Sequence, residues 1–213
     1  MTDKAIILDL DDTIFQTKSM DYNIFEPFFN DLIYRLKSSF DKVIIENIIN
    51  DLWEKPIDSV IKKYKIPQEL ILESLKILDE LNIDLKISPF PDYKYLKEIL
   101  MPKFLVTTGI TSLQKAKIEA LNIENDFTEI IINDTITDNK TKKDFFIRSI
   151  NKYCLIPEKT YVIGDNPDSE IEIGNVLNMI TIQILRDNVI KGNNARYYIN
   201  SFNDLKMIIN WLK

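Results

Sequence analysis

The sequence predicts an α/β protein: a doubly wound, Rossmann-like parallel sheet with a helical segment inserted after its first strand. Three observations predict it. Ala5-Ile6-Ile7-Leu8 is a short continuous apolar run, the pattern of a strand buried on both faces of a parallel sheet. Further such runs at 104–106, 130–132, 161–163 and 180–185 alternate with stretches of helical periodicity, which implies βα units and parallel pairing. Three of these runs stop at a polar group, Asp9, Thr107 and Asp165, and in a parallel sheet those ends share one edge.

The elements follow in chain order. After Thr13 the strand pattern ceases, and Phe28, Phe29, Leu32, Ile33 and Leu36 recur at helical spacing behind Pro27, a residue that a first helical turn tolerates. Residues 43–53 and 57–64 read as second and third helices. Pro67 opens a fourth, with Ile71, Leu75, Leu78 and Leu81 on one face. Residues 16–87 are therefore expected to form a helical domain inserted into a core made of 1–15 and 88–213. Pro89-Phe90-Pro91 marks the return to that core, and Asp92 is expected to cap a helix running to Leu100. A helix carrying Leu113, Ala116, Lys117 and Ala120 on its core face or edge follows the strand at 104–106. Thr141 and Asp144 resemble a capping box ahead of Phe145, Phe146, Ile150 and Tyr153. A helix at 171–177, a short strand at 197–199 and a closing helix at 202–212 complete the pattern.

Composition excludes several chemistries. Of 213 residues 45% are hydrophobic and 28% charged, enough apolar surface for a full core. The net charge of −6, with lysines dispersed, argues against nucleic acid or an anionic membrane as partner. No apolar run approaches the ~20 residues needed to span a bilayer, and Asp9 interrupts the N-terminal run before it could serve as a signal peptide. The chain has one cysteine, Cys154, expected to pack in the core; that usage fits a reducing cytoplasm. It has no histidine, so Ser-His-Asp and Cys-His catalysis and histidine metal sites are excluded. Carboxylates, lysines, hydroxyls and a hard metal remain.

The strand ends carry those groups. Asp9, Asp11 and Asp12 place three carboxylates within four residues where a buried strand stops. Burying an unpaired charge costs on the order of several kcal/mol, so a cation is expected to offset it. Asp9 can attack an electrophile or bind metal, while Asp11 can donate and accept a proton. Thr107 offers a hydroxyl, and the amides of Thr108 and Gly109 can face an anion at a helix start. Asp165 supplies another carboxylate for metal, Glu170 follows five positions later, and Lys140, Lys142 and Lys143 offer a cation. Such a set suits phosphoryl transfer, where positioning and charge stabilisation dominate.

These residues resemble the motifs of the haloacid dehalogenase superfamily over nearly the full chain. Asp9-Leu10-Asp11-Asp12-Thr13 matches its Asp-x-Asp-x-Thr motif, Val106-Thr107 its second motif, and Gly164-Asp165-Asn166-Pro167-Asp168-Ser169-Glu170 its acidic fourth motif. The resemblance implies that Asp9 is the nucleophile forming an aspartyl-phosphate and Asp11 the general acid/base. It implies Mg2+ held by the Asp9 carboxylate, the Asp11 backbone carbonyl and Asp165, with Glu170 supporting from behind and Thr107 holding phosphate. The family's third-motif lysine often precedes proline; here Lys140-Thr141 stands instead, and Lys140, directly before the inferred cap, is the residue assigned, with Lys142 next in order. Asp12 and Thr13 are expected to shape the turn through backbone bonds.

The expected function is Mg2+-dependent hydrolysis of a small phosphorylated metabolite, with the inserted helices as a type-one cap that selects it. A phosphomutase would use the same residues. A dehalogenase lacks the second aspartate, so Asp11 argues against it. A phosphonatase would need a cap lysine, for which Lys37, Lys42, Lys55, Lys62 and Lys63 are available. A non-catalytic binding protein would be expected to show a broken motif.

Overall fold

Six parallel strands form the sheet of the computed structural model, in the order β3-β2-β1-β4-β5-β6. The structure describes residues 4–54, 57–81, 83–134, 140–187 and 189–211; Lys55, one of the lysines considered above, lies outside them. The strands are β1 (Ala5–Leu8), β2 (Lys103–Gly109), β3 (Glu129–Asp134), β4 (Thr160–Gly164), β5 (Ile180–Ile184) and β6 (Tyr197–Ile199). Every residue of β1, β4 and β5 is buried, as central strands covered on both faces require.

The chain divides into two units, Met1–Met20 with Leu85–Lys213, and Asp21–Asp84. In the second unit, four helices, α1 (Glu26–Leu36), α2 (Lys42–Glu54), α3 (Ile57–Tyr64) and α4 (Gln68–Glu80), follow one another. They bury the periodic apolar positions Phe28, Phe29, Leu32, Ile48, Val60, Ile71, Leu75 and Leu78. Tyr22, Phe25 and Phe29 ring Trp53 at 4.9–6.5 Å between centroids, and Ser74 on α4 donates to Asp31 on α1 at 2.8 Å.

In the first unit the helices are α5 (Tyr93–Lys97), α6 (Thr111–Leu121), α7 (Lys142–Tyr153), α8 (Glu172–Val176) and α9 (Leu205–Trp211). Ala5, Ile7, Phe104, Val106, Ile131 and Val162 from the sheet pack with Phe145 and Phe146 of α7 and with Met179, and Ile173 of α8 rests against them. Among the described residues no helix is long and apolar enough to cross a membrane.

Three local expectations are corrected. Asp92 caps nothing with its side chain: it lies in helical conformation, and its Oδ2 accepts from Arg186 Nη1 and Phe202 N at 2.9 Å each. Helix α5 ends at Lys97, and Leu100 is left 95% exposed. Cys154 is not core but exposed, in the left-handed conformation (φ 51°) that ends α7.

Helix α8 approaches the sheet through a glycine. A Cβ on Gly174 would stand 2.6 Å from Thr181 Cγ2 and 3.2 Å from Val162 Cγ2, both on buried strand residues. Replacing an interior helical glycine with alanine gains up to about 1 kcal/mol of propensity, but overpacking costs about 1–3 kcal/mol, so the clash dominates. Gly174→Ala is expected to lower the urea midpoint; an unchanged or raised midpoint would show that the helix is free to move outward.

Candidate active site

In the sheet order, β1 and β4 flank the point where the connections reverse direction, the position at which open α/β sheets hold ligands. Asp9 follows β1, and its amide continues the ladder by donating to the Ile163 carbonyl of β4 at 3.1 Å. Asp165 follows β4. Both side chains therefore emerge side by side at one edge.

Glu170 reaches the same spot by a different route. Asn166 accepts from the Asp168 amide at 2.9 Å and opens a wide π-type turn over Pro167–Ile171. The turn folds Glu170 back over the end of β4, where it is 3% exposed. Gly164 makes room: a Cβ there would stand 2.9 Å from Glu170 Cβ, Cγ and Oε2. One carboxylate oxygen from each of Asp9, Asp165 and Glu170 lies within 4.8 Å of the others.

Lys142, the first residue of α7, enters this cluster. Its ammonium donates to Asp9 Oδ1 at 2.5 Å and to Glu170 Oε1, with its side chain 10% exposed. Thr141 precedes it, and the Asp144 carboxylate accepts from the Thr141 amide and hydroxyl at 2.8 Å each, which fixes the helix start and the direction of Lys142. Lys140 is exposed and lies outside the cluster. The expected register is thus corrected by two residues: the capping pair was identified rightly, but the side chain that turns inward is the one after the cap, not the one before it.

The charges do not balance. When all are ionised, three carboxylates against one ammonium leave two negative charges in a buried space. Burial pushes the Asp9 carboxyl well above its ordinary range, with Lys142 pulling it down and Glu170, Asp165 and Asp11 pushing it up. Burial, then Glu170 and Asp12, raise Asp165 to about 7. Burial opposes the charge on Lys142, but Asp9 and Glu170 outweigh it and hold the ammonium protonated. Glu170 Oε2 is buried with no hydrogen-bond partner among the described residues. An all-oxygen donor set with an excess of two negative charges and an orphaned carboxylate oxygen fits a hard divalent cation. Glu170, expected behind the metal ligands, stands in this grouping with Asp9 and Asp165; the Asp11 side chain is not part of it, and the ligand expected from Asp11 is its backbone carbonyl.

Asp11 turns toward α6. Lys117 Nζ donates to its Oδ1 at 2.7 Å and Gln114 Nε2 to its Oδ2 at 3.0 Å. The same Gln114 amide nitrogen reaches Thr107 Oγ1 at 2.6 Å and the Thr108 carbonyl at 3.2 Å. Thr107, at the end of β2, is 1% exposed; Thr108 is exposed, and its hydroxyl accepts from Asn133 Nδ2 at 3.3 Å. Gly109 leaves space for Gln114, whose Cδ would stand 3.0 Å from a Cβ at that position. Gln114 and Lys117 are the site residues that the reading of the sequence missed. Their signal was present: two long polar side chains, three residues apart, on the face of a helix that otherwise packs inward.

Asp12 and Thr13 complete the turn. Asp12 takes a left-handed conformation (φ 50°) and accepts from the Thr17 amide at 2.9 Å. The Thr13 hydroxyl, expected to bond backbone, donates to Asp165 Oδ1 at 3.3 Å. The Thr13 carbonyl in turn accepts from Arg186 Nη2 at 2.9 Å, and the Arg186 guanidinium lies 4.0 Å from the Phe90 ring centre. Asp168 is exposed.

The chain belongs to the haloacid dehalogenase-like hydrolase family, whose pattern it matches over residues 6–184. It is 29% identical over 104 residues to the glyceraldehyde 3-phosphate phosphatase of Methanopyrus kandleri, a match covering 47% of this chain and 45% of that protein. The aligned stretch thus spans less than half the length of this curated relative. Its fold is similar to that of a haloacid dehalogenase-like hydrolase from Streptococcus pneumoniae (TM-score 0.67, 19% identity, 100% of both chains). It is also similar to a Bacillus subtilis chain whose structure was determined bound to magnesium (TM-score 0.60, 17% identity, 97% of this chain and 98% of that one).

The raised Asp165 carboxyl has a measurable consequence. The folded chain binds that proton more tightly than the unfolded chain does, so its contribution to stability is present at about pH 4 and lost as pH rises through about 7. In a chelator, Asp165→Asn is therefore expected to melt above the wild type at pH 8, with the advantage gone at pH 4. Added Mg2+ is expected to raise the melting temperature of the wild type at pH 8 more than that of the variant. An advantage that does not change with pH would contradict this reading.

Proposed function

We propose that this chain is a Mg2+-dependent phosphatase that hydrolyses a small phosphorylated metabolite through an aspartyl-phosphate on Asp9. The observation that supports this most is the convergence of Asp9, Asp165 and Glu170 around Lys142 at the reversal point of the sheet, with a second acid, Asp11, two residues after the first. Family membership and the name of the partial relative point the same way.

The chemistry divides among these residues. An oxygen of Asp9 attacks the phosphorus of the monoester while the bond from phosphorus to the alcohol oxygen breaks. Asp11 gives its proton to the departing oxygen, so the alcohol leaves neutral. Asp11, now a carboxylate, takes a proton from a water whose oxygen attacks the acyl phosphate at phosphorus. Inorganic phosphate leaves and Asp9 is restored. Lys142 neutralises charge on Asp9, and Thr107 with the backbone at Thr108 and Gly109 receives phosphate oxygens. The Asp9 and Asp165 carboxylates and the Asp11 backbone carbonyl would hold Mg2+, with Glu170 behind them. When bound, the ion supplies the positive charge that lets two anions approach each other. The helical unit Asp21–Asp84, inserted between the first and second motifs, is proposed to select the substrate.

Purified protein is expected to hydrolyse 4-nitrophenyl phosphate with Mg2+ and to stop in a chelator. Asp9→Asn is expected to abolish turnover, and Asp11→Asn to lower kcat for an alkyl phosphate by about 10²- to 10⁴-fold, the range for a positioned acid–base group. Turnover in the chelator, or full activity of Asp9→Asn, would overturn the proposal. Within a panel of phosphomonoesters, triose phosphates such as glyceraldehyde 3-phosphate are the first class to test, given the relative's name.

A further inference from the structure

Helix α6 holds two polar side chains where a packing helix would carry apolar ones. Gln114 is 1% exposed and Lys117 5% exposed, on the same face as the buried Leu113 and Ile118. A lysine at the border of a helix can extend its amine into water along its apolar stem; Lys117 does not. Its amine lies beneath the surface, 5.8 Å from the centre of the buried Phe15 ring and 2.7 Å from Asp11 Oδ1. Gln114 is kept at a comparable cost, because its Oε1 is buried without a hydrogen-bond partner among the described residues. What both side chains gain is Asp11: Lys117 takes one carboxylate oxygen and Gln114 the other. Two donors from one helix, three residues apart, fix both the direction and the plane of that carboxylate. Through its contact with the Thr107 hydroxyl, Gln114 also joins Asp11 to the end of β2.

We infer that Gln114 and Lys117 are positioning residues for Asp11: they form a clamp that sets where the proton carrier stands relative to the phosphate site. The inference rests on the reading of Asp11 as the group that protonates the leaving alcohol. The clamp acts by orientation, so its loss is felt where the proton must arrive at a particular oxygen at a particular moment. An alkyl phosphate, with a basic leaving oxygen, depends on that proton; 4-nitrophenyl phosphate, whose leaving group departs readily as an anion, depends on it little. A residue that merely supported the fold would affect both substrates alike.

The test compares kcat/KM for the two substrates, a ratio that reports steps up to departure of the alcohol. Lys117→Met and Gln114→Met, each of similar length without the polar tip, are expected to reduce kcat/KM for the alkyl phosphate by on the order of 10- to 100-fold, as small misplacements of catalytic groups do, and for 4-nitrophenyl phosphate several-fold less. Lys117→Arg is expected to recover part of the loss. In an Asp11→Asn background neither methionine variant is expected to change the ratio further. Equal losses on both substrates in both methionine variants would overturn the clamp. If Asp11→Asn itself loses the two activities equally, the assignment of Asp11 fails instead, so the two failures are distinguishable. Should one methionine variant not fold, the other carries the comparison alone.

Discussion

The site is governed by a charge imbalance that the fold itself creates. Parallel strands β1 and β4 end side by side, so the residues that follow them, Asp9 and Asp165, are brought together. The turn after β4 adds Glu170. Lys142 answers only part of that charge. Burial raises the carboxyls of Asp9 and Asp165 first, and repulsion from the neighbouring carboxylates, strong in a medium of low effective dielectric, adds to it. Such a cluster fits the proposed divalent cation, whose charge would offset that of the carboxylates. Surrounding features serve to hold it: Gly164 opens space for Glu170, the Thr141–Asp144 cap aims Lys142, and Thr13 bonds Asp165.

The two aspartates of the first motif meet different surroundings although they lie two residues apart. Asp9 faces the carboxylates and Lys142; Asp11 faces α6 and a lysine of its own. One acid is held by the elements after β3 and β4, the other by the helix after β2. That division would let a single turn present the proposed attacking group and the proposed proton carrier, each beside its own cation. Strain and buried charge concentrated at one sheet edge are what a functional site adds to an otherwise self-consistent fold.

Much of this was legible in the sequence because it depended on local patterns. Short apolar runs ending in carboxylates or threonine marked the strand ends, and the parallel sheet brought them to one edge. The elements that misled were those decided by tertiary contacts. Asp92 looks like a helix cap, yet an arginine 94 residues later in the chain and the backbone of Phe202 claim its carboxylate. Cys154 stands beside Tyr153, Leu155 and Ile156 in the sequence, yet it sits where α7 must end in a left-handed turn, which leaves it exposed. Lys140 and Lys142 straddle one cap, and only the direction of α7 against the sheet decides which ammonium reaches Asp9. Gln114 and Lys117 follow the helical period, and periodicity alone assigns such residues to packing or to a solvated border rather than to a distant aspartate.

The central claim is that Asp9 carries the phosphoryl group, and trapping the intermediate tests it most directly. Protein mixed with excess 4-nitrophenyl phosphate and Mg2+, quenched and reduced with borohydride, should yield homoserine in place of aspartate at position 9 alone, by mass spectrometry of its peptides. Conversion at another carboxylate, or active enzyme that yields no homoserine under any quench time while still releasing phosphate, would contradict the account.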